Sequence, residues 1–163
     1  MTEALEPWKD FNVAMAGATG ALAGLAIVAA SVNIGDIVKD NSLTARLASG
    51  VVTLVLALIA SAVGLIPGLS LAVYGVAMLF ATLVAVAFHV VASRRIFANK
   101  DPANRMPAVK AGVGFVPLVS YLAGAVLLLT ENASGLTYLA IASILAIISA
   151  LLVSWVVLVE VLR

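Results

Sequence analysis

Long runs without a charged residue constrain this chain more than any other feature. Asp, Glu, Lys and Arg are absent from residues 11–35, 47–93, 111–130 and 132–159. A helix needs about 20 predominantly apolar residues to cross the hydrocarbon core of a bilayer. Because 64% of the residues are hydrophobic and only 10% are charged, a soluble core of this size cannot bury them all. The chain must therefore use lipid as its solvent.

Backbone polar groups in lipid must be satisfied within their own segment, which favours helices. The run 47–93 is long enough for two helices and contains a turn signature at Pro67-Gly68. We therefore predict an all-α membrane bundle that forms one domain over residues 1–163. Its five transmembrane helices cover about residues 10–33, 44–66, 69–97, 112–130 and 135–162.

The fourth predicted helix is the shortest of the five. Gly112, Gly114 and Pro117 crowd its beginning, and proline and glycine both interrupt helices. A broken or re-entrant helix is therefore the alternative for this segment.

Basic residues give an orientation, because short loops rich in Lys and Arg remain in the cytoplasm. An outside N-terminus and five spans leave only Lys9 outside and place the C-terminus in the cytoplasm. The cytoplasmic basic residues are then Lys39, Arg46, Arg94, Arg95, Lys100, Arg105, Lys110 and Arg163.

The composition also excludes several kinds of chemistry. The chain has no cysteine and one histidine, so thiolate or multi-histidine metal sites and bis-histidine haem cannot form within one chain. The sequence contains no phosphate-binding loop and no nucleophile triad at plausible membrane depth. We expect no enzyme, no cofactor, no metal site and no nucleic-acid partner.

The first predicted helix is rich in small and weakly polar residues, and they form two faces at helical spacing. One face is a candidate for pore lining or packing and consists of Asn12, Thr19, Ala23, Ala26, Ala30 and Asn33. The other is a candidate helix contact and includes Gly17, Gly20, Gly24 and Ser31. Small residues let helices approach closely in lipid, so we expect this helix to be central, with neighbours on most sides.

Ionisable groups at membrane depth are the default functional candidates. His89 precedes Arg94 by five residues, about 7.5 Å along a helix, and Glu160 lies near the C-terminus. The two residues could pair near the inner interface and form a proton-responsive gate, or each could simply reach lipid headgroups there. Asp36 follows the first helix, where it is either a solvated loop residue or part of a carboxylate ring in an oligomer.

The segment 94–110 is the only sizeable polar stretch. Its basic residues are candidates for binding anionic lipid headgroups. They are Arg94, Arg95, Lys100, Arg105 and Lys110.

The N-terminal stretch resembles a known group of proteins. The segments KDFNVAMAGATGALAGLAIVAASVNIGDIV and ARLASGVVTLVLALIASAVGLIPG are similar to the start of small multi-helix membrane proteins from actinobacteria, some of which carry the label modulator of FtsH protease. The resemblance covers the first two helices and implies a multi-pass protein of the bacterial inner membrane.

Two functions follow as hypotheses. The first is a homo-oligomeric channel or permeation protein with the first helix near the symmetry axis, because a chain of this size is too short for a repeat-built transporter. The second is a non-transporting accessory or regulatory protein that binds another membrane complex, such as a membrane protease, through its small-residue faces.

Overall fold

A computed structural model describes residues 4–98 and 107–161, and this part of the chain is helical without strands. A short 3-10 helix, Glu6–Trp8, leads into the first α-helix. The α-helices are α1 (Lys9–Val32), α2 (Ile34–Ile37), α3 (Asn41–Gly64), α4 (Leu71–Ala98), α5 (Pro107–Gly112), α6 (Phe115–Leu129) and α7 (Ser134–Val161).

The helical membrane class predicted from the sequence is confirmed. Among the described residues, four helices are long and apolar enough to cross a membrane: Glu6–Val32, Asn41–Gly64, Leu71–Ala98 and Ser134–Val157. The apolar helix Phe115–Leu129 is shorter. The number of spans therefore remains a prediction.

The beginning of the fourth predicted span contains a break between two helices, next to the glycines noted in the sequence. Helix α5 ends at Gly112 and α6 begins at Phe115, so α6 starts three residues later than we predicted. Pro117 has no amide hydrogen to donate to the carbonyl of Val113, four residues earlier. The hydroxyl of Ser149 on α7 donates to that carbonyl instead, at 3.0 Å.

Four helices form a closed ring in which each packs against two neighbours. Helix α3 packs on α4, α4 on α6, α6 on α7, and α7 on α3. The turn 65–70 joins α3 to α4 and the turn 130–133 joins α6 to α7, so both turns lie at one end of the bundle, which we call the hairpin end. Gly68 takes φ = +74° in the first turn, a conformation that favours glycine.

Helix α1 packs on the outside of this ring. It lies along α3 and touches α7 only slightly. Our expectation of a central first helix is therefore wrong within a single chain. Residues Asn12, Met15, Thr19 and Ala23 form its buried face, while Val28 and Leu25 on other faces are exposed.

The connection between α1 and α3 is held by local hydrogen bonds. Asp40 caps α3 by accepting a hydrogen bond from the backbone amide of Ser42 at 2.7 Å. The hydroxyl of Thr44 donates to the carbonyl of Ile37 at 2.8 Å, and the Ile37 side chain is buried. These contacts fix the short helix α2 against the beginning of α3.

Candidate functional site

His89 is the only histidine of the chain and lies inside the bundle. Its side chain is 3% exposed. Nδ1 lies 2.9 Å from the carbonyl oxygen of Ala85, and Nε2 lies 3.2 Å from Oγ1 of Thr53. Thr53 is halfway along α3, so its distance from either end of that helix is about 18 Å at the standard rise.

The environment of His89 differs from the sequence-based expectation. We placed the side chain near a membrane interface, where it would reach headgroups or Glu160. The hydrogen bonds described for it go to Thr53 and to its own helix, because α4 packs against α3 and α6. The Glu160 side chain lies outside the described residues.

The contact with Ala85 defines which ring nitrogen carries hydrogen. A carbonyl oxygen can only accept, so Nδ1 must donate to it. In neutral His89 the other nitrogen, Nε2, is then an acceptor, and it accepts a hydrogen bond from the Thr53 hydroxyl. Oγ1 of Thr53 also lies 2.8 Å from the carbonyl of Ser49, which gives that hydrogen a second acceptor.

The imidazole ring fits closely against the beginning of α6. A Cβ atom placed on Gly114 would lie 2.6 Å from Cδ2 and 2.9 Å from Nε2 of His89. The Phe115 ring meets the imidazole edge-on, with the ring centroids 5.7 Å apart. His89 therefore joins three elements: α3 through Thr53, its own helix through Ala85, and the start of α6 through these two contacts.

Arg46 is a buried charged residue that sequence reasoning placed on the cytoplasmic side, near the beginning of the second predicted helix. It lies within α3 and is 4% exposed. Helical spacing carries the signal, because Arg46, Ser49 and Thr53 recur at intervals of three and four residues and so share one face. The beginning of α3 thus brings a positive charge into the bundle about two turns from Thr53.

A second polar cluster lies nearer the hairpin end. The Tyr74 hydroxyl donates to the carbonyl of Ala60 at 2.6 Å, and the Tyr121 hydroxyl lies 2.9 Å from Oγ of Ser143. Asn12 and Ser61 join Tyr74 and Ser143 around a cavity of about 10 Å³. A void of this size holds about one water molecule, so this cluster is too small to bind a substrate.

The candidate pore-lining or packing residues lie between α1 and the rest of the chain. Asn12, Thr19 and Ala23 are buried, and Ala26, Ala30 and Asn33 are partly buried. Thr19 donates to the carbonyl of Met15, and the Asn33 amide donates to the carbonyl of Ala29. This face packs within one chain, largely against α3.

The candidate helix-contact residues on the other face of α1 contact little within the chain. Gly17, Gly24 and Ser31 are exposed, and Gly20 is partly buried. A Cβ atom on Gly17 or Gly24 would meet no other atom within 4 Å. The Ser31 hydroxyl donates to its own helix, at the carbonyl of Ile27.

The other charged candidates are exposed or undescribed. Arg94 and Arg95 are exposed near the end of α4. The remaining side chains lie outside the described residues, and these are Asp36, Lys100, Arg105 and Lys110. Within the described part of the chain, no cluster of three or more His, Asp or Glu residues could hold a metal ion.

Comparison with known proteins gives no relative from which a role could be transferred. The chain matches no protein family, no curated protein and no solved structure.

Proposed function

We propose that this protein is a non-enzymatic, multi-pass protein of the bacterial inner membrane that acts by binding another membrane protein through α1. In this proposal five segments cross the membrane, and the hairpin end faces outward. This orientation keeps most basic residues on the cytoplasmic side. A membrane protease complex is one partner of this kind, in keeping with the resemblance of the first two helices.

The observation that carries the proposal is the free glycine face of α1. Only one face of α1 is packed in the chain, and Gly17 and Gly24 on another face have open space beside them. Helix association in lipid depends on close van der Waals packing rather than on hydrophobicity, and small residues permit that close approach. A lipid-facing helix has no need of such a surface, whereas a helix that docks against a partner does.

Filling this face tests the proposal. Gly24→Ile adds bulk where nothing lies within 4 Å, so the fold should tolerate it. Ala87→Ile adds similar bulk at an exposed position of another helix, α4, and serves as the control. Each variant is expressed in cells from which the native protein has been deleted, and the complex is measured by native mass spectrometry after mild solubilisation.

We expect Gly24→Ile to lose a co-purifying membrane protein that the wild-type chain and Ala87→Ile retain. Equal recovery of that partner with all three chains would refute a role for this face. A wild-type chain that runs as a monomer without any partner would refute the proposal as a whole.

The second candidate is the homo-oligomeric channel, and the same exposed face favours it. In a ring of subunits, the glycines and Ser31 are available to the symmetry axis, whereas Asn12, Thr19 and Ala23 are occupied by packing within the chain. A discrete homo-oligomer by light scattering, with ion flux in proteoliposomes that Gly24→Ile blocks, would support the channel. A homo-oligomer without flux would argue against it.

A further inference from the structure

We propose that His89 is a proton-sensitive latch, which holds α3, α4 and the start of α6 together while neutral and releases them when protonated. This inference concerns the interior of the bundle, so it goes beyond the proposed binding function of α1. It rests on the hydrogen bonds, the charges and the packing around one imidazole ring.

The hydrogen bonds around His89 can be satisfied in both protonation states. In the neutral state Nδ1 donates to the Ala85 carbonyl and Nε2 accepts from the Thr53 hydroxyl. A proton taken from water onto Nε2 turns that nitrogen into a donor to Oγ1 of Thr53. The Thr53 hydroxyl then rotates and donates to the Ser49 carbonyl, 2.8 Å away. Protonation therefore changes the charge of the site without removing a hydrogen bond.

The positive charge of a protonated His89 then decides whether the closed or the open arrangement of the helices is favoured. The charged groups on the helices around His89 are basic. Helix α3 carries Arg46, and α5 carries Lys110, whose side chain is not described. Helix α6 presents the apolar ring of Phe115. Helix α4 itself carries Arg94 and Arg95. Among the side chains that the structure describes, which do not include those of Asp36 and Glu160, no carboxylate pairs with the imidazole. With respect to these described side chains, an imidazolium would be buried without a counter-charge, which is unfavourable in a membrane interior.

Packing couples the charge to helix movement. Gly114 approaches the ring so closely that even a methyl group there would collide with it, and Oγ1 of Thr53 lies 3.2 Å from Nε2. The charged ring therefore reaches water only if α4 separates from α3 or α6. The latch is closed above the titration range of an exposed histidine and opens as the pH falls through that range.

The chain's single histidine makes the first test direct. Nitrogen NMR of the ¹⁵N-histidine-labelled protein in nanodiscs reports one residue. We expect the tautomer with hydrogen on Nδ1 at pH 8. Hydrogen on Nε2 instead would overturn the proposed arrangement.

Hydrogen exchange of residues 49–56 and 85–92, corrected for intrinsic rates, measures opening. If the open state titrates near pH 6.5, as exposed histidine does, exchange should rise about tenfold at pH 5.5 and about a hundredfold at pH 4.5. His89→Gln cannot take up the proton and should abolish this rise, while Thr53→Ser keeps the hydroxyl and should preserve it.

An equal rise in His89→Gln would overturn the latch, as would constant exchange in the wild-type protein across this pH range. If His89→Gln fails to fold, the wild-type protein still decides. In that case the rise in exchange must begin at or above the pH at which the histidine nitrogen signals titrate, and titration of those signals without a rise in exchange would also overturn the proposal.

Discussion

Gly75 lies where α4 and α6 approach closely, and its replacement by alanine tests how this bundle is held together. A Cβ atom there would lie 2.8 Å from the backbone nitrogen of Leu129 and 3.0 Å from the carbonyl oxygen of Ala125. Both are backbone atoms, so no side-chain rotation can relieve the collision. The two helices must move apart, and the contacts along their interface weaken.

The expected size of the effect follows from two opposing contributions. Overpacking of a filled interior costs about 1–3 kcal/mol, and alanine regains about 0.8–1 kcal/mol over glycine within a helix. Because the collision is with backbone, we expect the upper part of this range, a net loss of about 2 kcal/mol. That loss lowers the folding equilibrium constant about thirtyfold.

The matched control is Gly24→Ala on α1, where the added methyl group meets no atom within 4 Å. This variant should be as stable as the wild-type chain or slightly more stable. Both variants can be compared by SDS titration in mixed micelles, with helix content followed by circular dichroism. Equal stability of Gly75→Ala and Gly24→Ala would refute the reasoning, because it would mean that close contact between α4 and α6 contributes nothing.

Two further substitutions test single hydrogen bonds by the same titration. Ser149→Ala removes the donor that replaces the missing amide hydrogen of Pro117 and should lower the free energy of unfolding by about 1–3 kcal/mol. The control Ser31→Ala, on an exposed helix face, should change it little. Equal effects would show that the Ser149 contact is not needed. Asp40→Ala removes the cap of α3 and should lower the free energy of unfolding by about 1 kcal/mol. Asp40→Asn keeps a capping oxygen and is the control. An unchanged midpoint of the SDS titration in Asp40→Ala would contradict this role of the side chain.

Much of the local structure could be predicted from residue order. The first predicted helix ended at Asn33, and α1 ends at Val32. The Pro67-Gly68 signal correctly placed a turn between α3 and α4, and Gly112 and Gly114 lie at the break between α5 and α6, at the beginning of the fourth predicted span. Each of these features depends on residues close together in the chain, which is why sequence patterns report them.

The site itself was only partly visible in the sequence. His89 stood out as the single histidine of the chain, but its partner could not be predicted, because Thr53 lies on another helix. Ser149 gave no signal, because nothing in its own helix reveals that a carbonyl beside Pro117 lacks a donor.

The sequence by itself determined that this chain forms apolar helices in lipid, since uncharged runs and backbone hydrogen bonding leave no other stable choice. Only the tertiary structure decided which faces meet. Gly75, Gly124 and Gly135 make close contacts, while Gly17 and Gly24 face open space. The reason is physical: lipid and protein interior are almost equally apolar, so hydrophobic periodicity does not separate a buried face from an outer one. Complementary shape between residues far apart in the chain selects the partners.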